Sequence, residues 1–377
     1  MHILLVENSG LDFYTSRLTY AHYLKTRKYQ VSVLIPNDGY AEKIRATGLA
    51  AFTYPVSKSR NWIGGIMKIL IGYRSILRSH QFDIVHSYRF FPNLFNVITS
   101  GFSSRKVILH VTGLGIVYAG RAFKYKVYKI FSNTLYFLMI RLADHVIVQN
   151  PDDQKHLSFT SSLGKKIQLI KGSGVNTDLF SFDPAFRQII RTKAAFSDNQ
   201  ILFFCITRLI WEKGIKEMVD AFRSLESKFP TIKLIIIGDP DLSNPAHVSP
   251  NYIATENHGN VLFWGRQSNV HELLSAADVF IFPSYYREGI PRGLLEALSS
   301  GLPIITTRMP GCDLTVVENC NGILIEPRSS TAIADAIMQL MAQKSEFKKM
   351  GIMSRELALN NFSEEKIFAA IKDVYEH

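Results

Sequence analysis

The sequence predicts an α/β protein made of two parallel-sheet units in series, and three observations carry that prediction. Short apolar runs of strand length alternate with segments of helical period along almost the whole chain. The alternation restarts after the turn-rich stretch KGSGVNTDLF, residues 171–180. The net charge changes sign at the same place. Residues 1–175 hold 23 Lys and Arg against 8 Asp and Glu, a net +15, whereas residues 176–377 hold 20 against 24, a net −4.

In chain order, HILLV at 2–6 is a buried-strand pattern, followed by a polar loop with Gly10 and a helix to about Lys28. QVSVLIP (30–36) is the next strand, residues 40–47 a helix, and 51–55 a short strand. Apolar residues at 62, 63, 66, 69, 70, 73, 76 and 77 predict a helix over 62–80. DIVHS (83–87) and KVILHV (106–111) are strands flanking a helix over 91–100. TGLGIVYAG (112–120) is a glycine-spaced loop, and a long helix runs from Arg121 to Leu142. HVIVQ (145–149) and IQLI (167–170) complete the first series. The second has strands at 201–207, 233–237, 261–263, 279–282, 303–306 and 322–325. Its helices fall at 214–228, 270–276, 291–300 and 330–341, and a last helix follows Ser363, a residue suited to cap it.

A chain of 377 residues with 47% hydrophobic content suffices for two domains of ordinary size. Cys205, Cys312 and Cys320 lack metal-ligand spacing and fit a reducing compartment. The N-terminus reads as a strand, without a signal peptide's basic region. No run of about 18 uncharged apolar residues is available to span a bilayer. These features predict a cytoplasmic protein.

The basic half seeks a polyanion or an anionic membrane. Between Asp83 and Asp144 there is no acid, but there are eight bases: Arg89, Arg105, Lys106, Arg121, Lys124, Lys126, Lys129 and Arg141. Over 121–142 lysines alternate with Phe and Tyr, which suits a helix lying on lipid headgroups and equally a core helix whose lysines snorkel. Membrane contact is the favoured reading. Nucleic acid is not expected, because no motif of that class occurs.

The densest chemistry lies in YREGIPRGLLEALSSGLPIITT, residues 286–307. Glu288 and Glu296 stand either side of Gly289, Ile290 and Pro291. Proline suits the first turn of a helix, predicted over 291–300. A helix start favours an anion such as a diphosphate, and a nearby carboxylate accepts hydrogen bonds from sugar hydroxyls. A second stretch, TRLIWEKG (207–214), puts Arg208 at a strand end and Lys213 at a loop-to-helix turn. Arg forks onto phosphate oxygens and Lys adds a point charge. Together these groups describe a pocket for a sugar attached to a diphosphate.

Arg208…Lys213-Gly214, Pro283-Ser284 and Glu288…Glu296 resemble the retaining family 4 glycosyltransferases of GT-B fold. GSGVNTDLF (172–180), VLFWG (261–265) and ADVFIFPS (277–284) are similar to segments of the same family. TGLG (112–115) and VQNPDDQ (148–154) resemble its branch acting on lipid-linked saccharides in bacterial surface-polysaccharide pathways.

The resemblance implies two Rossmann-like parallel-sheet domains facing a cleft. Expected bounds are 1–172 for an acceptor-binding, membrane-associating domain and 173–355 for a nucleotide-sugar domain. Residues 356–377 are expected to form a helix crossing back to the first. Arg208 and Lys213 would bind and stabilise the departing diphosphate, and Glu288 the transferred sugar, with Gly289, Ile290 and Pro291 shaping that contact. Glu296 would bind the ribose, and Arg266 would lie along the base. Arg17 resembles an arginine after the family's first loop, which implies an acceptor phosphate as target. Many members carry a His directly before the glycine loop. Here His110 precedes Gly113 by three residues, with Val111 and Thr112 between, and is either a cleft residue or a satisfied core histidine. His86 is an equal cleft candidate, beside Thr112 and Gly113. Asp313-Leu314 stands where related sequences often continue Arg-Glu, and Cys312 reads as a packing residue.

The expected activity is retaining transfer of a hexose or N-acetylhexosamine from a UDP-sugar. The expected acceptor is an undecaprenyl-diphosphate-type saccharide in O-antigen, capsule or glycan synthesis. No metal or other cofactor is expected, and the enzyme would sit peripherally on the anionic cytoplasmic membrane face. The alternatives are a GDP-mannose-dependent mannosyltransferase and, from another class, a non-catalytic nucleotide-sugar binding module.

Overall fold

A computed structural model describes residues 1–55, 62–101, 103–120, 122–160, 163–242 and 244–376. Arg121, which the sequence reading places at the start of the long basic helix, lies outside them, as do the side chains of Trp62 and Ile63. The chain divides into two compact units, residues 1–171 with 367–377, and residues 172–366.

The first unit begins β1 (His2–Val6), α1 (Gly10–Ser16), α2 (Leu18–Thr26), β2 (Gln30–Pro36), α3 (Ala41–Arg45), β3 (Ala50–Tyr54) and α4 (Trp62–Ser79). It continues β4 (Ile84–Tyr88), α5 (Phe90–Ser100), β5 (Lys106–Val111), α6 (Ile116–Ala119), α7 (Phe123–Leu142), β6 (His145–Val148), α8 (Pro151–Thr160) and β7 (Ile167–Leu169). Its seven strands are ordered β3-β2-β1-β4-β5-β6-β7, with every pair parallel. Period-two alternation serves both faces. Ile3 and Leu5 join a core that includes Ile367, Phe368 and Ile371 from the end of the chain, while Leu4 and Val6 join Tyr73, Leu77 and Phe95.

The second unit contains α9 (Pro184–Lys193), β8 (Ile201–Ile206), α10 (Ile215–Leu225), β9 (Ile232–Ile237), α11 (Pro250–Glu256), β10 (Val261–Gly265) and α12 (Val270–Ala276). Then come β11 (Val279–Phe282), α13 (Arg292–Ser299), β12 (Ile304–Thr307), β13 (Gly322–Ile325), α14 (Ser330–Ala342) and α15 (Phe347–Asn361), and α16 (Glu364–Glu376) follows with most of its length in the first unit. The six strands are ordered β10-β9-β8-β11-β12-β13, again parallel. Residues 356–366, grouped in the sequence reading with the final helix, belong to the second unit, and 367–377 to the first.

Two local differences from the sequence reading have physical causes. The single helix expected from the Gly10 loop to Lys28 is interrupted at Arg17, whose φ of −120° and ψ of −13° leave the helical range. The interruption accompanies burial of the Arg17 side chain over the Tyr88 ring, 4.4 Å from its centroid. Five helices, α6, α8, α9, α11 and α15, fall where none was expected. Two of them open on a cap-plus-proline pair: Asp183 accepts the Ala185 N–H and Ser249 accepts the Tyr252 N–H.

Candidate active site

In the second unit the strand order reverses between β8 and β11. Parallel sheets open a ligand crevice beyond the carboxyl ends of their strands at such a point. Both chemically dense stretches lie here, TRLIWEKG after β8 and the Glu288 loop after β11. Gly214 lets them touch: it has φ +76°, and a Cβ there would stand 2.5 Å from the Pro283 carbonyl oxygen. Lys213, just before it, is buried and ion-paired to Glu288. Its Nζ lies 5.1 Å and 5.5 Å from the ring centroids of Phe282 and Tyr286. Ser284 Oγ sits 3.4 Å from Glu288 Oε1 and accepts the Tyr286 N–H at 3.2 Å. A lysine and a glutamate so withdrawn from water are not a solvated surface pair, and each fixes the other's position.

Gly289 and Ile290 are buried, and a Cβ on Gly311 (φ +84°) would collide with the Gly289 carbonyl. The loop carrying Glu288 is thereby clamped by a second glycine turn. Asp313 serves that turn, its Oδ1 accepting the Gly311 N–H at 3.1 Å. Pro291 lies one position outside the helix expected to contain it: its ψ of 129° makes it the N-cap, and α13 starts at Arg292. Glu296 is buried within α13 and bonded to Arg292 Nε at 2.9 Å. Burial raises the Glu296 carboxyl above its ordinary range, while Arg292 opposes the shift. Cys312 is wholly buried, and burial pushes its thiol up to about 12, which suits packing and not nucleophilic attack.

Two predicted donor residues are less enclosed. Arg208 follows β8, is 57% exposed at its side chain, and pairs with Asp241 at 3.1 Å. Arg266, just past β10, is exposed, and its backbone N–H donates to Asp239 Oδ1 at 3.1 Å.

In the first unit the order reverses between β1 and β4. Arg17 is buried here, its Nε 3.8 Å from Glu7 Oε2. Two residues that the sequence reading does not place in a site complete the cluster. Glu7, directly after β1, is wholly buried, and Arg89, directly after β4, bonds Glu7 at 3.3 Å and Asp12 at 2.7 Å. The signal for Glu7 was an acid at the end of a fully apolar strand. His86 and His110 are both wholly buried, with rings parallel at 5.5 Å. His86 Nδ1 meets the Tyr375 hydroxyl at 2.6 Å, and His110 Nε2 lies 3.1 Å from Gln149 Nε2. Burial lowers both imidazoles, His86 to about 3, so both are neutral. Thr112 and Gly113 (φ +118°) are half-buried beyond β5.

The long basic helix α7 shows an unusual surface. Phe123, Val127, Tyr128, Ile130, Phe131 and Leu138 are all exposed, Phe123 by 77%, and so are Lys124 and Lys126. Neighbouring α8 adds Phe159, 91% exposed. Among the described residues no helix is long and apolar enough to cross a membrane.

Residues 186–356 match the family model of glycosyl transferases group 1, and residues 2–150 match that of glycosyl transferase 4-like proteins. The N,N'-diacetylbacillosaminyl-diphospho-undecaprenol alpha-1,3-N-acetylgalactosaminyltransferase of Campylobacter jejuni is 26% identical over 346 residues, 90% of this chain and 89% of the relative. The UDP-Gal:alpha-D-GlcNAc-diphosphoundecaprenol alpha-1,3-galactosyltransferase of Escherichia coli is 25% identical over 362 residues, 93% of this chain and 90% of its own. In fold, the chain is similar to Anabaena HepE in complex with UDP, with a TM-score of 0.80, 18% identity and 100% of both chains covered. Sucrose-phosphate synthase of Thermosynechococcus elongatus gives a TM-score of 0.84 at 19% identity, covering 100% of this chain and 98% of its own.

Proposed function

We propose, from the premise that this chain belongs to the family 4 glycosyltransferases of GT-B fold, that it moves a hexose or N-acetylhexosamine from a UDP-sugar to a polyprenyl-diphosphate-linked saccharide. The observation that carries the donor half is the enclosed Lys213–Glu288 pair at the second unit's switch point. The acceptor class is supported by the two relatives whose names specify diphosphoundecaprenol substrates and whose similarity spans nine-tenths of the chain. UDP is favoured over GDP because the E. coli relative names UDP-Gal over 93% of this chain, whereas a GDP-mannose-dependent relative covers 53%.

In the proposed reaction the bond from the sugar's anomeric carbon to the diphosphate breaks, and its electrons pass to the phosphate oxygen. Lys213 and Arg208, which exchanges Asp241 for the ligand, stabilise that charge more in the transition state than in the ground state. The acceptor hydroxyl bonds to the anomeric carbon on the face the diphosphate leaves, so configuration is retained, and its proton passes to the departing phosphate. Glu288 accepts hydrogen bonds from the sugar's hydroxyls and favours the cationic character of the ring. Glu296 accepts from the ribose, and Arg266 lies along the base. No metal ion takes part.

The helix α7 holds the enzyme on the anionic cytoplasmic face of the membrane: exposed aromatic and aliphatic side chains enter the headgroup region while lysines meet lipid phosphates. A panel of UDP- and GDP-sugars, offered with a polyprenyl-diphosphate saccharide in vesicles containing chelator, tests the whole reading. Label entering the lipid from a UDP-sugar with retained configuration is expected. Activity with GDP-mannose alone, or only after Mn²⁺ is restored, would replace it.

A further inference from the structure

We propose that Arg89 binds the diphosphate of the lipid-linked acceptor and that Glu7 is its positioning residue, with Arg17 as the second cation of the seat. The proposal rests on the glycosyl-transfer reading above and concerns residues that the donor chemistry does not use.

Three independent features converge on this spot. The first is topology: Glu7 leaves β1 and Arg89 leaves β4, the two strands at which the sheet order of the first unit reverses. The second is backbone strain. Arg89 has φ 71° and ψ 171°, a region adopted almost only by glycine. Its N–H donates to the His110 carbonyl at 2.9 Å and its carbonyl accepts the Asn93 N–H at 3.1 Å, so the neighbouring strand and helix hold the residue in that conformation. A glycine would make the same turn without strain, so the arginine side chain needs its own explanation. The third is an incomplete polar cluster. Glu7 is wholly buried, and its Oε2 has no hydrogen-bond partner. The buried Nε of Arg17 and hydroxyl of Tyr88, stacked on each other, are also without one.

The chemistry selects the ligand. One buried carboxylate holds two guanidinium groups that would otherwise repel each other. Burial raises the Glu7 carboxyl above its ordinary range, while Arg89, Arg17 and the Asn8 N–H oppose the shift. Arg89 is 36% exposed at its side chain and Asp12 is equally exposed, so their 2.7 Å bond lies at the rim, where a phosphate oxygen competes with the carboxylate. Two arginines sharing one carboxylate match a diphosphate, since each fork takes two oxygens. A lysine pair would provide charge without that geometry.

The test uses the full chain with farnesyl diphosphate as probe, measured by calorimetry, with UDP as control ligand and phosphatidylglycerol vesicles as a separate arm. Arg89→Gly is expected to weaken farnesyl diphosphate binding at least about tenfold, the loss of one bidentate contact. UDP affinity and vesicle binding should be unchanged, with relief of the backbone strain offset by loss of the Glu7 ion pair in the Tm. Arg89→Lys, which keeps charge and loses the fork, should fall between. Glu7→Gln should raise the acceptor's KM more than it lowers kcat, and Glu7→Asp should recover part of the loss. Equal probe binding by parent and Arg89→Gly, or an equal loss of vesicle binding, overturns the proposal. Probe binding lost in Arg89→Gly while no nucleotide-sugar is turned over would sink the transfer reading and keep the diphosphate site. Transfer by Arg89→Gly at the parent's acceptor KM would do the reverse.

Discussion

The two switch points are built alike and charged in opposite order. In the first unit the leading strand β1 delivers the acid, Glu7, and β4 delivers the base, Arg89; in the second, β8 delivers the base, Lys213, and β11 delivers the acid, Glu288. The surroundings differ more than the pairs do. Lys213 and Glu288 are flanked by aromatic rings and by turns that only glycine can make, so a single cation is held in a rigid, mostly dry place. Glu7 instead is shared between two arginines, one of them at a rim and in a strained backbone. On the proposed reading, one topological position serves a leaving charge where one lysine is enclosed, and a standing charge where two guanidinium groups share a carboxylate.

The largest effect is expected where the enclosed lysine is removed. Lys213→Ala should lower kcat by roughly 10²–10³, the range for loss of one preorganised donor to a developing anion. A loss below threefold in a steady-state transfer assay would break the comparison on the second-unit side. Next in size is the membrane face. Replacing Phe123, Ile130 and Phe131 of α7 together by Ser should cut sedimentation with anionic vesicles about tenfold or more, each buried apolar side chain contributing about 1.5–3 kcal/mol. Turnover of a water-soluble acceptor analogue should be kept. Unchanged sedimentation at low salt would remove the membrane from the account.

The smallest effect concerns stability. The ionised Glu296 carboxyl is disfavoured by burial, and its folded-state pKa is raised. The native state therefore holds this proton more tightly than the unfolded chain does, and ionisation costs stability as pH rises from the ordinary value of 4.5 through the raised one. Glu296→Gln should thus raise Tm by a few degrees at pH 7, with the gain vanishing below pH 4.5, while the donor KM rises. A Tm that falls at pH 7, with donor KM unchanged, would make Glu296 a structural residue.

How much of this was legible in the sequence depended on local density. The fold followed from hydrophobic periodicity, because buried parallel strands must be apolar on both faces, as Ile3, Leu4, Leu5 and Val6 are. The second-unit stretches were legible because Gly214, Gly289, Pro291 and Gly311 mark close backbone approaches beside charged residues. Glu7 and Arg89 lie 82 positions apart with no glycine or proline next to either, and their meeting depends on the β1–β4 pairing. The displacement of Pro291 to the N-cap was likewise not readable, since proline suits either position. His86 reads from its strand-end position as a cleft residue and His110 as either that or a core histidine, and their neighbours Tyr88, Gln149 and Tyr375 bury both.

The division of labour between the units is tested most directly by two-substrate kinetics on three proteins: the parent, Lys213→Ala and Arg89→Gly. Nucleotide-sugar and lipid-diphosphate acceptor are varied independently over the same vesicles. Lys213→Ala is expected to lose kcat with little change in the acceptor's KM, and Arg89→Gly to raise the acceptor's KM about tenfold or more with the donor's KM unmoved. Both variants shifting the same parameter, or Arg89→Gly acting on the donor alone, would contradict that division.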